Sequence, residues 1–278
     1  MKIKIVTDST CDLSAELTQE WDVTVVPAYI NIGEKSFLDG VDLSRQDFYQ
    51  RLPDFSHSPT TSAPGLAAFA TAYEKFADEG AQGIISIHVA ESLSTTINVA
   101  RKAKEMVSRI PIWVVDSGQI SLGLGLQVLA AAKAAVQGQN LEVILKELAD
   151  LRKRTYLYAV VDTLEFLRRS GRVARYRTIL GSMVKIKPII SFHDGIIKME
   201  MAVTTNKAFK RISEIVSSLA PLECISFVHT LALSKVDELQ KLLSPFIAGS
   251  SKSLTSEVTP AIGAHIGPGA AGVICVRS

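Results

Sequence analysis

Short apolar runs bounded by polar clusters alternate with longer stretches of helical periodicity along the first half of the chain. "IKIVTD" (3–8) predicts a short buried strand that ends in acidic and hydroxyl residues. "DVTVVPAYINI" (22–32) predicts a second β run, interrupted at Pro27, and "SRQDFYQRL" (44–52) a helix. "PTTSAPG" (59–65) predicts a polar loop in which Pro64 opens an amphipathic helix running to about Asp78. "GIISIHV" (83–89) predicts a strand, "STTINVARKAKEMVSR" (94–109) a helix, and "IPIWVVDS" (110–117) another strand. Two helical segments follow, with Asn140 placed as an N-cap between them. Strands alternating with helices imply parallel pairing and an α/β layer fold.

The pattern changes after about residue 153. "YLYAVV" (156–161), "IKPIISF" (186–192) and "IIKMEMAV" (196–203) predict strands, the last two flanking "HDG", a hairpin signal. A helix from about Asn206, the strand "CISFVHT", a helix from about Ser234 and two closing strands complete the chain. The expected organisation is an N-terminal α/β domain with a parallel sheet over 1–153 and a C-terminal α+β domain over 154–278.

Composition narrows the class. With 278 residues, 47% apolar and 21% charged, the chain has the profile of a water-soluble protein with a substantial core. A net charge of +2 gives no bulk attraction to nucleic acid or an anionic membrane. The start, "MKIKIVTD", lacks a signal-peptide apolar core. The most apolar stretch, "ISLGLGLQVLAAAKAAVQ" (120–137), carries two glycines, a lysine and two glutamines, which suits a buried helix better than a membrane span. Cys11, Cys224 and Cys275 have no metal or redox spacing and read as reduced core thiols, so the expected location is cytoplasmic.

In a parallel α/β sheet, ligands bind beyond the carboxyl ends of the strands. Three predicted strands end in hydroxyl-rich sequence: "DSTCD" (8–12), "ESLSTT" (91–96) and "DSGQIS" (116–121). Each alone suits helix capping. Together with "PTTS" they outline an anion cradle of hydroxyls and helix N-termini. Near the C-terminus, "AHIGPGAAG" (264–272) holds His265 beside a glycine-rich turn, which lets main-chain N–H groups come near a ligand. Ser94 and His265 could serve an acyl hydrolase, but the chain has no G-x-S-x-G elbow. "SGQISLGLG" lacks the phosphate-loop pattern, and the five histidines have no zinc spacing, so no metal is expected.

Taken together, "DSTCD", "TSAP" (61–64), "SLSTT" (92–96), "VVDS" (114–117), "TLEFLRRSGRV" (163–173), "KIKPII" (185–190) and "HIGPGAAGV" (265–273), in that order along nearly the whole chain, resemble the DegV family of fatty-acid-binding proteins. The resemblance implies two domains with an acyl chain between them. It further implies a lipid carrier rather than an enzyme, one that presents its fatty acid to a separate bacterial fatty acid kinase. Carried over residue by residue, Thr61, Ser94 and His265 would hold the carboxylate, with Ser62 beside Thr61 and backbone contacts from Thr95 and Gly267. Ala63, Thr95, Ile97, Lys185 and Val203 depart from the residues common in the family. The resemblance implies no cofactor apart from the bound long-chain fatty acid, while the net charge, the short basic run and the polar residues within 120–137 point to no nucleic acid partner and no stable membrane insertion. The basic run "RRSGRVARYR" (168–177) has a solvated face as its simplest reading, and the resemblance makes Arg172 a candidate for docking the kinase.

Overall fold

The computed structural model describes residues 2–171, 186–247 and 253–278. The first half builds a parallel sheet in the order β2-β1-β6-β7, from β1 (Ile3–Asp8), β2 (Val23–Val26), β6 (Gly83–His88) and β7 (Ile112–Asp116). A small antiparallel sheet, β4-β3-β5, forms from β3 (Tyr29–Ile32), β4 (Lys35–Leu38) and β5 (Thr60–Ser62). Helices α1 (Ala15–Glu20), α2 (Arg45–Arg51), α3 (Leu66–Asp78), α4 (Thr96–Met106), α5 (Leu122–Val136) and α6 (Leu141–Arg154) intervene. The second half builds a mixed sheet in the order β10-β9-β8-β13-β11-β12. Its strands are β8 (Thr155–Val160), β9 (Lys187–His193), β10 (Ile196–Ala202), β11 (Leu222–His229), β12 (Thr255–Glu257) and β13 (Ala271–Arg277). The accompanying helices are α7 (Glu165–Ser170), α8 (Thr205–Leu219), α9 (Leu233–Ile247) and α10 (Pro260–Ile266).

The run interrupted at Pro27 is two strands in different sheets. β2 pairs with β1 as far as Val26, and the chain leaves that ladder at the proline, which has no N–H to extend it. Residues 60–62, expected as loop, form β5 on β3, with Thr61 opposite Ile30. This strand has no apolar face, so its polar composition hid it. Pro64 does not open α3: the N-cap is Gly65 and the helix starts at Leu66. Asn140 does cap α6, accepting from Val143 N–H at 2.9 Å. Asp194 and Gly195, with φ of 44° and 75°, form the two-residue turn between β9 and β10.

Helix α5 explains its own uniform apolarity. It is buried on nearly every side, in a core that it shares with Ile5, Ile85 and Ile87 of the parallel sheet and with Leu157, Phe192 and Ile274 of the mixed sheet. A second core, built on Phe209, Ile212, Phe227, Val236 and Val273, lies on the other face of the mixed sheet under α8 and α9. No described helix is long and apolar enough to cross a membrane.

Helix α10 has only seven residues and needs outside support. At its start, the N-cap Thr259 donates its N–H to Asp12 Oδ1 at 2.7 Å and its hydroxyl to the Asp39 carboxylate at 2.6–2.7 Å. Asp12 also accepts from the Ser121 hydroxyl, and Arg45 Nη2 stands 4.0 Å from its Oδ1. Arg45 bridges onward to the Glu257 carbonyl at 2.6 Å. Two buried carboxylates thus face one half-buried guanidinium. Burial pushes the Asp12 carboxyl up to about 6, against the pull of Arg45, Ser121 and Thr259. Burial raises Asp39 as well, although Ser9 and Thr259 bond to it.

A carboxyl whose folded value lies above its unfolded value binds more protons when folded, so its contribution is full below about pH 3.9 and is lost as pH rises through about 6. Asp12→Asn, a neutral isostere, should therefore gain stability relative to the parent between pH 3.5 and 7, by about 2–3 kcal/mol. Urea unfolding of both proteins across that range measures the gap; a gap that stays constant, or moves the other way, contradicts an ionisation cost at Asp12.

Candidate functional site

A cavity of about 700 Å³ lies between the carboxyl ends of β1 and β6 and one face of the mixed sheet. The alternation of β8 explains its floor: Leu157, Ala159 and the following Val161 line the cavity, while Tyr158 and Val160 point into the core under α8. Ile190, Phe192, Ile197 and Val228 extend this apolar surface from neighbouring strands, and Val89 and Ile120 close it from the parallel sheet. Helix α7 adds Leu167, and α10 adds Ala261, Ile262 and Ile266.

Much of the polar lining comes from three places. β5 presents Thr61 and Ser62; the turn into α4 presents Ser94, Thr95 and Thr96; the last turn of α10 presents His265. Thr61 Oγ1 lies 2.8 Å from His265 Nε2. Ser94 Oγ accepts from Thr96 N–H at 3.2 Å and lies 2.9 Å from Thr96 Oγ1. Ser62 accepts from Asn31 Nδ2 at 2.9 Å, which fixes β5 against β3. The N-terminal turn of α4 therefore meets the cavity alongside hydroxyls, an arrangement suited to an anion. Among the described bonds, Ser94 pairs with Thr96 and His265 Nε2 with Thr61, and none joins Ser94 to the imidazole as a hydrolase would use it.

Gly267, expected to bring backbone to a ligand, is not among the cavity-lining residues. It has φ of +72°, and a Cβ there would lie 2.3 Å from Phe166, so its openness admits the Phe166 ring of α7. In the basic run, Arg169 donates to Ser58 Oγ at 2.8 Å and pairs with Glu165. Arg172 and Lys185 lie outside the described residues. Val203 is exposed.

Thr10 and Ser121 also line the cavity. They sit in hydroxyl-rich stretches evident in the sequence, but their roles depend on distant partners. Thr10 bonds to Asp8, which holds His88 Nδ1 at 3.0 Å and Val89 N–H at 3.1 Å. His88 Nε2 lies 2.7 Å from Ser86 Oγ, which lies 2.7 Å from the Tyr73 hydroxyl. Burial alone would raise the Asp8 carboxyl, but its bonds to His88, Thr10 and Val89 outweigh burial and hold it below the ordinary carboxylate value. Although Asp8, His88 and Ser86 form an acid–imidazole–hydroxyl chain, all three are buried. They brace β1 against β6 beneath the cavity and do not meet it.

Comparison with known proteins agrees with this architecture. A DegV domain-containing protein of Halalkalibacterium halodurans is 34% identical over 275 residues, covering 98% of this chain and 97% of that protein. A DegV family protein from Thermus thermophilus, whose structure is described as showing fatty acid binding, superposes with a TM-score of 0.90 at 31% identity, over 100% of both chains. DegV from Bacillus subtilis, described as a fatty acid binding protein, gives a TM-score of 0.89 at 28% identity, again over 100% of both. The model of the DegV family, a family of uncharacterised proteins, matches residues 2–278. With its parallel sheet, mixed sheet and the cavity between them, the chain belongs to the DegV family.

Proposed function

We propose that this protein binds a long-chain fatty acid, with the acyl chain along the β8 face and the carboxylate between Thr61, Ser94 and His265. Ser62 and the backbone at Thr95 flank the same position. The observation that carries the reading is an apolar cavity with one polar wall, where the Thr61–His265 bond and the α4 N-terminus meet the same space. The fatty acid binding described for the Thermus thermophilus and Bacillus subtilis relatives supports it.

The energetics suit such a ligand. Burying about fifteen chain carbons at ~0.8 kcal/mol each gives a gross gain of roughly 12 kcal/mol. Ordering the chain and losing its free motion offset a good part of this. A buried carboxylate needs partners, and two hydroxyls, an imidazole and helix N–H groups supply them. The reading needs no cofactor. It places the ligand between an N-terminal domain over 1–153 and a C-terminal domain over 154–278, in a carrier that acts in the cytoplasm. The protein then presents the bound acid to a fatty acid kinase, which supplies the catalysis.

Two measurements test the proposal. Denaturing extraction and mass spectrometry of the purified protein should recover fatty acid in near-stoichiometric amount; negligible lipid, together with no binding of added palmitate or oleate, refutes it. Thr61→Val, Ser94→Ala and His265→Ala should each weaken palmitate binding by roughly ten- to a hundredfold, since a hydrogen bond to a charged group contributes ~1.5–3 kcal/mol. Unchanged affinity in a folded Ser94→Ala/His265→Ala double variant would put the head group elsewhere.

A further inference from the structure

His265 sits in the last turn of α10, and what fixes that turn lies outside the cavity. Gly267 N–H closes the turn onto the Gly263 carbonyl at 2.8 Å. The chain then passes through Gly267, Pro268 and Gly269 into β13, and four polar main-chain atoms of residues 267–270 have their partner on one residue, Thr230. The Thr230 hydroxyl donates to the Gly267 carbonyl at 2.8 Å and accepts from Ala270 N–H at 2.8 Å. Its main chain accepts from Gly269 N–H at 2.6 Å and donates to the Ala270 carbonyl at 3.0 Å. Thr230 is fully buried and is not among the residues lining the cavity. Its hydroxyl thus uses one donor and one acceptor, both on the segment that follows His265.

A second tie holds the same turn from outside. Lys235 Nζ donates to the Gly269 carbonyl at 2.7 Å and to Asp162 Oδ1 at 2.7 Å, and Lys187 Nζ reaches the same carboxylate oxygen at 2.7 Å. Burial raises the Asp162 carboxyl, but its bonds to the two lysines outweigh that and keep it below the ordinary value. A Cβ on Gly269 would lie 2.2 Å from Asp162 Oδ2, so the turn and the carboxylate are in close contact. Both carbonyls of the glycine pair are therefore held by side-chain donors.

We propose that Thr230 is a positioning residue of the head-group site: by fixing residues 267–270 it sets the last turn of α10, and with it the direction of the His265 imidazole toward a ligand carboxylate. The inference rests on the fatty acid reading and adds a residue to that site that touches no ligand. Without the hydroxyl, the Gly267 carbonyl and Ala270 N–H lose their partners, and a seven-residue helix has little of its own to keep its final turn.

The test separates head-group recognition from general damage by using two ligands of one chain length. Palmitate and 1-hexadecanol are titrated into the parent protein, Thr230→Val and Thr230→Ser. The parent should prefer palmitate. Thr230→Val, which keeps the shape but lacks the hydroxyl, should lose palmitate affinity by about tenfold while hexadecanol affinity changes by less than about threefold. Thr230→Ser should restore the preference. Lys235→Met, which breaks the outer tie at Gly269, should shift the same ratio in the same direction and serves if Thr230→Val fails to fold. An unchanged ratio in the folded variants, or parallel loss of both ligands, overturns the positioning role while leaving the fatty acid reading intact. A parent protein that binds neither ligand overturns the fatty acid reading itself.

Discussion

The candidate site depends on holding a helix too short to hold itself. Helix α10 carries His265 and spans seven residues, about half the length at which an isolated helix becomes marginal in water. Its two ends are held by buried threonines that bond in opposite ways. Thr259 begins the helix and reaches outward, to Asp12 behind β1 and to Asp39 behind β4. Thr230 approaches from β11 and receives the chain after the helix. The start of α10 is thereby referred to the parallel and small sheets, and its end to the mixed sheet. Held at both ends in this way, the helix brings its imidazole to Thr61 of the small sheet.

The same constraint explains why costly groups are buried here. Asp12 and Asp39 share one guanidinium, and burial works against the ionisation of both. Apolar residues in their place would leave the Thr259 N–H and hydroxyl unpaired at the point where three structural layers converge. The Asp8–His88–Ser86–Tyr73 chain does comparable work one layer down, tying the carboxyl ends of β1 and β6 so that Thr10 and the α4 turn present their hydroxyls together. The apolar floor needs no such devices. Strand alternation alone turns Leu157, Ala159 and Val161 toward the cavity.

What the sequence made legible follows from range. The parallel sheet, α5 and the β9–β10 turn are visible because their signals are local: apolar runs, uniform apolarity, an Asp-Gly pair. β5 is not legible in the sequence because "TTS" owes its strand state to pairing with β3 rather than to any apolar face of its own. Ser94 and His265 were legible through motif resemblance, and both line the cavity. Thr230, Thr259 and Asp39 were not, since each acts through partners far along the chain and none belongs to a recognisable motif. The glycines of the "GPG" turn were legible as a close approach, but not what approaches: the Phe166 ring at Gly267 and the Asp162 carboxylate at Gly269.

A crystal structure of the protein with palmitate bound decides where the head group sits. The carboxylate should lie within about 3 Å of Thr61 Oγ1, Ser94 Oγ and the His265 ring, with the chain running from Val161 past Ala159 toward Leu157. A carboxylate at the opposite end of the cavity, or in solvent with Thr61 and His265 still bonded to each other, would contradict it.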